Sequence, residues 1–252
     1  MRLPLFLAFT AALPAAALEL ELTGFYDLNR PASLEYDPAF CGLWIANEGP
    51  ETALVTLDGL ELRRWRSDLY RIKALAIDGN DLIVADGNGL YQRMSKDGVA
   101  LGDPYRIEGV SAATEGMVVL PNGTIVIVED DPARMFWVAP DGAVTRVLDG
   151  NLMDPPMTEP QGVAFDPRTG TLLVVDDLEG TNALFEFTAE GAFLATISLV
   201  EYGIDPEGIA IRPGADALFL GFDEGARIAA FTYTPSNAPG PLDNPSADCM
   251  LF

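Results

Sequence analysis

The amino-acid sequence predicts an all-β fold, a five-bladed β-propeller built from four-stranded antiparallel blades. A unit of three or four short apolar runs recurs about every 46 residues, within the range of propeller repeats. Gly, Pro, Asn and Asp separate these runs, which are rich in β-branched and aromatic residues. Asp-Gly pairs, which favour hairpin turns, stand between several of them. An irregular β-sandwich is the alternative, but a sandwich does not require one repeating unit.

Each unit is a predicted blade whose runs are taken as successive strands. Several runs are continuously apolar, as expected for strands that neighbouring blades cover on both faces. The predicted strands are residues 32–36, 43–46, 54–57 and 61–65; 74–77, 82–85 and 90–94; 117–120, 125–128 and 135–138; 163–165, 172–175, 184–187 and 193–197; and 209–211, 218–220 and 228–231.

The stretch before the first unit, residues 18–28 (LELELTGFYDL), reads as a single strand. The fifth unit has only three strands of its own. We therefore expect residues 18–28 to complete the last blade, because a closed ring leaves no exposed sheet edge.

The segment of residues 1–17 has the features of a signal peptide, and it is excluded from the fold. Arg2 supplies the positive charge, residues 3–13 the apolar stretch and Ala15-Ala16-Ala17 the small-residue cleavage site. The sequence therefore predicts a periplasmic or secreted protein with a propeller domain at residues 18–235. Residues 236–252, rich in Pro, Asn and Asp, are predicted to be an irregular C-terminal tail. No second long apolar segment follows, so we expect no membrane span.

Charge and composition exclude several classes of function. The 252 residues carry 38 acidic and 15 basic side chains, a formal charge of −23. Nucleic acids and anionic membrane surfaces are therefore unlikely partners. The excess acid either serves solubility or holds a cation. The chain has no His and two Cys, which disfavours zinc, iron and His-based nucleophilic catalysis.

Oxygen-bearing side chains recur at the two strand ends that meet at one mouth of the propeller channel. Innermost strands begin where second strands end. Such crowded carboxylates repel one another unless a cation intervenes, and Ca²⁺ is the best candidate in an exported protein. The predicted metal ligands are Glu115, Glu159, Glu207, Glu129 and Asp176, and the predicted ligand-binding residues are Lys73, Gln161 and Asp205.

Each of these residues also has a purely structural interpretation. Asp and Asn at strand ends often accept hydrogen bonds from turn amides. Lys73 is interpreted as an internal counter-ion of the acidic mouth rather than as a catalytic amine. Glu is not a preferred turn residue, so Glu115 and Glu207 are the stronger metal candidates.

The two cysteines, Cys41 and Cys249, are predicted to form a disulfide. The turn that holds Cys41 and the segment after the fifth unit are expected on the same face of the ring. Two unrelated buried thiols are the alternative.

Three units resemble the SdiA-regulated family of exported bacterial proteins: EPQGVAFDPRTGTLLVVDDLEG, DPEGIAIRPGADALFLGFDEG and TEGMVVLPNGTIVIVEDD. That family is distantly similar to propellers of NHL repeats, and LIVADGNG also looks like an NHL unit. The resemblance implies a five-bladed propeller with bound Ca²⁺ and no established activity. Glu-Gly before an apolar strand also occurs in gluconolactonase-like and phytase-esterase-like propellers. Ala32, Lys73 and Gln161 stand where a carboxylate is expected, so a metal site should depend on blades three to five.

The sequence thus predicts a monomeric Ca²⁺-binding module for a small molecule or an envelope protein and favours binding over enzymatic activity. One alternative is a metal-dependent hydrolase of a lactone or phosphoester, with a carboxylate as base. A purely structural interaction domain without an ion is another.

Overall fold

The computed structural model describes residues 17–27, 31–177 and 179–237. Nineteen strands and two 3-10 turns, Gly150–Leu152 and Pro213–Ala215, form the regular structure of these residues. The strands make five antiparallel sheets arranged as the blades of a ring. The predicted five-bladed propeller is confirmed.

The observed strands follow the predicted runs with differences of a few residues at their ends, except that β12, the outer strand of blade three, was not predicted. In chain order they are β1 Glu19–Asp27; β2 Ser33–Asp37, β3 Gly42–Ala46, β4 Glu51–Thr56 and β5 Glu61–Arg66 (blade one); β6 Ile72–Asp78, β7 Asp81–Asp86 and β8 Tyr91–Ser95 (blade two); β9 Thr114–Val119, β10 Ile125–Glu129, β11 Arg134–Val138 and β12 Val144–Asp149 (blade three); β13 Pro160–Asp166, β14 Thr171–Asp176, β15 Ala183–Thr188 and β16 Phe193–Ser198 (blade four); and β17 Pro206–Arg212, β18 Ala217–Phe222 and β19 Arg227–Thr234 (blade five).

The ring closes through β1, as the sequence predicts. This strand is the outermost of blade five, whose strand order is β1-β19-β18-β17. Its register joins Glu19 to Thr234 and Asp27 to Arg227, with an irregularity between Leu22 and Gly24. Segments more than 200 residues apart along the chain therefore share one sheet.

Blade two has three strands rather than four. Only isolated bridges, Tyr91 to Tyr105 and Met94 to Ala100, run along its outer edge. Gly102 and Pro104 lie between these bridges, and Pro has no amide hydrogen to donate to a ladder. The outer segment therefore follows β8 without becoming a strand.

Five clusters of buried apolar side chains fill the five seams between neighbouring blades. Trp44 of blade one, for example, packs with Leu75 and Leu82 of blade two. Continuously buried strands such as β14 contribute to two seams at once. This explains why their sequences are apolar without alternation.

In β9, β13 and β17, a glycine follows the Glu or Gln near the strand start and lets neighbouring blades approach closely. A Cβ at Gly116 would lie 2.3 Å from the carbonyl oxygen of Gln161, and one at Gly162 would lie 2.3 Å from that of Glu207. A Cβ at Gly208 would lie 2.9 Å from the carbonyl oxygen of Pro31. The repeated Glu-Gly and Gln-Gly pairs thus allow the inner strands to approach closely around the channel.

The predicted signal peptide lies outside the described residues except for Ala17, and so does most of the predicted tail, with Cys249. These predictions, and that of the disulfide, remain predictions. In the part of the chain that the structure describes, no helix has the length and apolarity to cross a membrane.

Candidate metal centre

One face of the ring carries the mouth, which we define as the starts of the five inner strands with the turns that follow β3, β7, β10, β14 and β18. Strand register brings these segments together, since Pro206 lies opposite Phe222 and Pro160 opposite Asp176. Backbone hydrogen bonds extend the pairing outward, from Asp223 N to Asp205 O (3.0 Å) and from Asp177 N to Glu159 O (3.0 Å).

Three carboxylates from blades four and five meet at this mouth: Asp177, Asp205 and Glu207. One oxygen of each lies within 4.8 Å of the others. Asp177 is buried, whereas Asp205 and Glu207 are half-buried. No other group of three potential metal ligands this close occurs among the described residues.

A buried amide borders the three carboxylates. The Gln161 Nε2 donates a hydrogen bond to Asp177 Oδ2 (3.2 Å). Its Oε1 is buried and accepts no hydrogen bond from any described residue. A buried acceptor without a partner costs about 1–3 kcal/mol, so this amide oxygen is available to a ligand near the three carboxylates.

Burial and mutual repulsion raise the pKa values of all three carboxyl groups. Desolvation raises the pKa of Glu207 to about 8, with Lys73 opposing and Glu115, Asp205 and Glu48 adding to the rise. Desolvation likewise raises the pKa of Asp177 to about 7. The pKa of Asp205 is also raised, first by desolvation and then by neighbouring acids. The site thus favours protons or a cation over three bare charges.

Lys73 also lies at the mouth, where its nearest acids are Glu115 and Glu48, outside the three-carboxylate group. It forms an ion pair with the buried Glu115, and its Nζ lies 3.7 Å from Glu48 Oε1. Burial raises the pKa of Glu115 to about 7, although the ammonium group of Lys73 lowers it. This geometry is that of an internal counter-ion.

Glu129 and Asp176 accept hydrogen bonds from loop residues and are not part of the three-carboxylate group. Asp176 Oδ1 accepts hydrogen bonds from the amides of Thr158 (2.9 Å) and Glu159 (2.6 Å), and Oδ2 from the amide and hydroxyl of Thr181 (both 2.7 Å). Glu129 Oε1 accepts from Ser111 N (2.8 Å). Both residues therefore fit the structural interpretation, in which acids at strand ends accept hydrogen bonds from loop amides.

Glu159 is half-buried near the mouth, outside the group of three. Burial, followed by repulsion from Asp130 and Asp176, raises its pKa. Of the predicted site residues, the structure brings together Glu207, Asp205 and Gln161, and Asp177, which shares this group, was not among the predicted site residues. The Asp176-Asp177 pair at the end of β14 was the available signal, but the spacing alone does not say which carboxylate points inward.

Unusual backbone conformations occur at the same mouth. Asp205 has φ of 66° and Glu48 has φ of 55°, both in the left-handed region that non-glycine residues seldom adopt. Cys41, Asn182, Asp216 and Ala226 also have positive φ, so this conformation is not confined to the mouth.

The cavity beside Glu207 is small, about 10 Å³, and Ala32, Glu48 and Asp223 complete its lining. A single water needs roughly 10–15 Å³ of such space. Of the three-carboxylate group only Glu207 lines this cavity, which has room for about one water.

The structure is similar to that of the glutaminyl cyclase of Myxococcus xanthus, with a TM-score of 0.68 and 15% sequence identity over 86% of this chain and 97% of the other. It is also similar to a protein of unknown function from Bacteroides caccae, with a TM-score of 0.52 and 13% identity over 75% and 69% of the two chains. No family model and no curated protein matches the sequence. Likeness at this level of identity supports the propeller fold alone.

Proposed function

We propose that this protein is an exported Ca²⁺-binding propeller that acts as a binding module for a small molecule or an envelope protein. Asp177, Asp205 and Glu207 hold the ion, and Gln161 Oε1 completes the protein ligands. The observation that carries the proposal is the convergence of three carboxylates within 4.8 Å beside a buried amide oxygen without a partner. Oxygen-only ligands, some of them carboxylates, suit Ca²⁺.

Electrostatics supplies the driving force for binding. Without a cation, Glu207, with a pKa of about 8, retains its proton at neutral pH, and Asp177, with a pKa of about 7, is partly protonated. The pKa of Asp205 is raised by desolvation and by neighbouring acids. A divalent cation displaces those protons and relieves the repulsion. Binding to the folded chain alone stabilises it by about 2.7 kcal/mol at a hundredfold excess over the dissociation constant.

Membership of the SdiA-regulated family is part of the same proposal. The three units that resemble the SdiA-regulated family include Gln161, Asp177, Asp205 and Glu207, the residues proposed here to hold the ion. Export to the periplasm or beyond, where Ca²⁺ is plentiful, is consistent with such a site.

The test is calorimetric titration of the chelator-treated protein with CaCl₂, together with thermal melts in chelator and in Ca²⁺. We expect saturable binding of one ion and a melting temperature that rises in Ca²⁺. Glu207→Gln and Asp177→Asn each remove a charged ligand and should weaken binding at least tenfold.

Asp141→Asn is the matched control, because it makes the same change of charge in an exposed turn on the opposite face and retains the acceptor for Ala143 N. It should bind Ca²⁺ like the parent protein. If all three variants bind equally, or if the parent neither binds nor responds in its melting temperature, the metal proposal is wrong.

A second candidate is a metal-dependent hydrolase of lactones or phosphoesters. The pKa values of Glu207 (about 8) and Glu115 (about 7) favour it, because they lie in the range of a general base or acid at neutral pH. Turnover of lactone, ester and phosphoester substrates that disappears in Glu207→Gln would support this candidate. Cyclisation of N-terminal glutamine is a further assay, chosen because the Myxococcus xanthus neighbour is a glutaminyl cyclase.

A further inference from the structure

Three loops on the mouth face repeat one arrangement of apolar side chains. Each loop joins the outer strand of one blade to the inner strand of the next, and the loops are residues 67–71, 150–159 and 199–205. A backbone hydrogen bond ties the start of each loop to a turn of the mouth: Ser67 N donates to Pro50 O (3.0 Å), Gly150 N to Ala133 O (3.0 Å) and Leu199 N to Asn182 O (2.8 Å). All three loops therefore lie on the face that carries the candidate metal centre.

In each loop one apolar side chain is buried and another is exposed. The buried ones belong to the clusters that fill the seams between blades, and they are Leu69 (2% exposed), Met157 (0%) and Leu199 (0%). The exposed ones are Tyr70 (84%), Leu152 (83%) and Val200 (65%). Single exposed apolar residues are normal on a protein surface. Here the same pair recurs three times, and the buried member fixes each loop, so the exposed member has a defined position around the mouth.

We propose that the mouth face docks a second protein through a basic segment, with Tyr70, Leu152 and Val200 as the apolar contacts. This inference rests on the proposed binding function and names the chemical class of its partner. The three contacts belong to the connections from blade one to two, three to four and four to five. A partner that touches all of them must span the mouth, as a protein segment does and a small molecule does not.

The charge of this face selects a basic partner. The three loops and the five turns of the mouth, residues 47–50, 87–90, 130–133, 177–182 and 223–226, contain twelve Asp or Glu and one basic residue, Arg71. Arg71 already forms an ion pair with Glu48. One bound Ca²⁺ would neutralise two of these charges and leave the face negative. Lys and Arg side chains of a partner are therefore attracted to it, whereas an anionic membrane is repelled.

Binding of a fluorescently labelled amphipathic peptide of Leu and Lys to the full-length protein is the test. A peptide of about 20 residues is roughly 30 Å long as a helix, enough to cross the mouth. We expect saturable binding, measured by anisotropy, that weakens as NaCl is added. The triple variant Tyr70→Ser, Leu152→Ser and Val200→Ser should bind about tenfold more weakly, because it lacks the apolar contacts. A Gly and Lys peptide of equal charge should bind less tightly and respond less to these substitutions.

Leu60→Ser and Val99→Ser are the matched controls. Both residues are exposed (65% and 60%) and lie in turns on the opposite face, so their replacement should leave peptide binding unchanged. The triple variant should melt and bind Ca²⁺ like the parent protein, since the replaced side chains are exposed.

Equal binding of the Leu and Lys peptide by the parent and the triple variant would overturn the apolar contacts. Failure to bind it, or equal binding of a Leu and Glu peptide, would overturn the basic partner. Binding to phosphatidylcholine vesicles that the triple variant loses would assign the three side chains to a membrane instead. Ca²⁺ binding without peptide binding would refute this inference alone, whereas peptide binding without Ca²⁺ binding would refute only the metal proposal.

Discussion

The half-buried carboxyl group of Glu207 lowers the stability of the folded chain at neutral pH, and the same group is a proposed metal ligand. Its carboxyl group lies beside Asp205 and Asp177 and is only partly balanced by Lys73, which is already paired with Glu115. The folded chain holds this group protonated to about pH 8, whereas an unfolded chain would release the proton near the ordinary value of 4.5.

The stability of the Ca²⁺-free protein should therefore fall as the pH rises from about 5 to 8.5. Across that window the native state binds a proton that the unfolded state has lost, so each step upward favours unfolding. We expect the melting temperature in chelator to drop by several degrees, since about 1 kcal/mol corresponds to 2–4 °C at this size. If Ca²⁺ binds the ionised carboxylates as proposed, it should reduce the drop.

Glu207→Gln supplies the comparison in the same pH series, because it has no proton to lose. Its melting temperature in chelator should change less with pH than that of the parent. Equal slopes for the two proteins would assign the pH dependence to other carboxyl groups.

At the scale of the element, the inner strands are held together by backbone contacts that side chains would prevent. Gly116, Gly162 and Gly208 each face a carbonyl oxygen of the next blade. The same approach places the first polar residues of β13 and β17, Gln161 and Glu207, near one another. Packing of the ring and assembly of the proposed metal centre therefore depend on the same positions.

Gly162→Ala should destabilise the protein by about 1–3 kcal/mol, the usual cost of forcing extra atoms into a packed interior. Its Cβ would lie 2.3 Å from the carbonyl oxygen of Glu207, so β13 and β17 must separate. We also expect weaker Ca²⁺ binding. Thermal and urea unfolding measure the first effect, and calorimetry measures the second.

Gly24→Ala is the matched control, because the same Cβ at Gly24 in β1 would meet no atom within 4 Å. Its stability should change by less than about 1 kcal/mol. Similar losses in both variants would indicate a general cost of replacing glycine in strands, without a role for the inner ring.

The sequence was sufficient to predict most of the strands, because a local pattern of apolar residues and turns specifies each of them. It was less sufficient for the site, because the contacts of each carboxylate depend on loops that are distant in the chain. Thr158 and Thr181 donate to Asp176, and Ser111 donates to Glu129. Asp205 joins the group through a left-handed backbone conformation that no spacing rule anticipates. The missing strand of blade two likewise follows from Pro104 and Gly102 in a segment that otherwise runs beside β8.

At the scale of the whole molecule, the ring depends on a strand that belongs to blade five in space and precedes blade one in sequence. β1 covers the edge of β19 along eight residue pairs. Leu18, just before the start of β1, and Leu20, its second residue, pack with the apolar cluster between blades four and five. Without β1, that edge would present unpaired amide and carbonyl groups.

Deletion of residues 19–27 should therefore lower the melting temperature by more than 5 °C, a loss of about 2 kcal/mol or more, and promote association through the free edge of β19. Light scattering after size-exclusion chromatography measures the association. A monomer that melts like the parent protein would show that blade five is stable with three strands, as blade two is.

The pairing of β1 with β19 also has a consequence for the time course of biosynthesis. Thr23 donates a hydrogen bond to the carbonyl oxygen of Ala230 across 207 positions of the chain. A ribosome adds about 5–20 residues per second, so β1 waits roughly 10–40 seconds before its partner has been made. Throughout that interval a strand with half-apolar character has no sheet to join, and we expect nascent chains of this protein to depend on holding chaperones at β1 more than at any blade that is complete when synthesised.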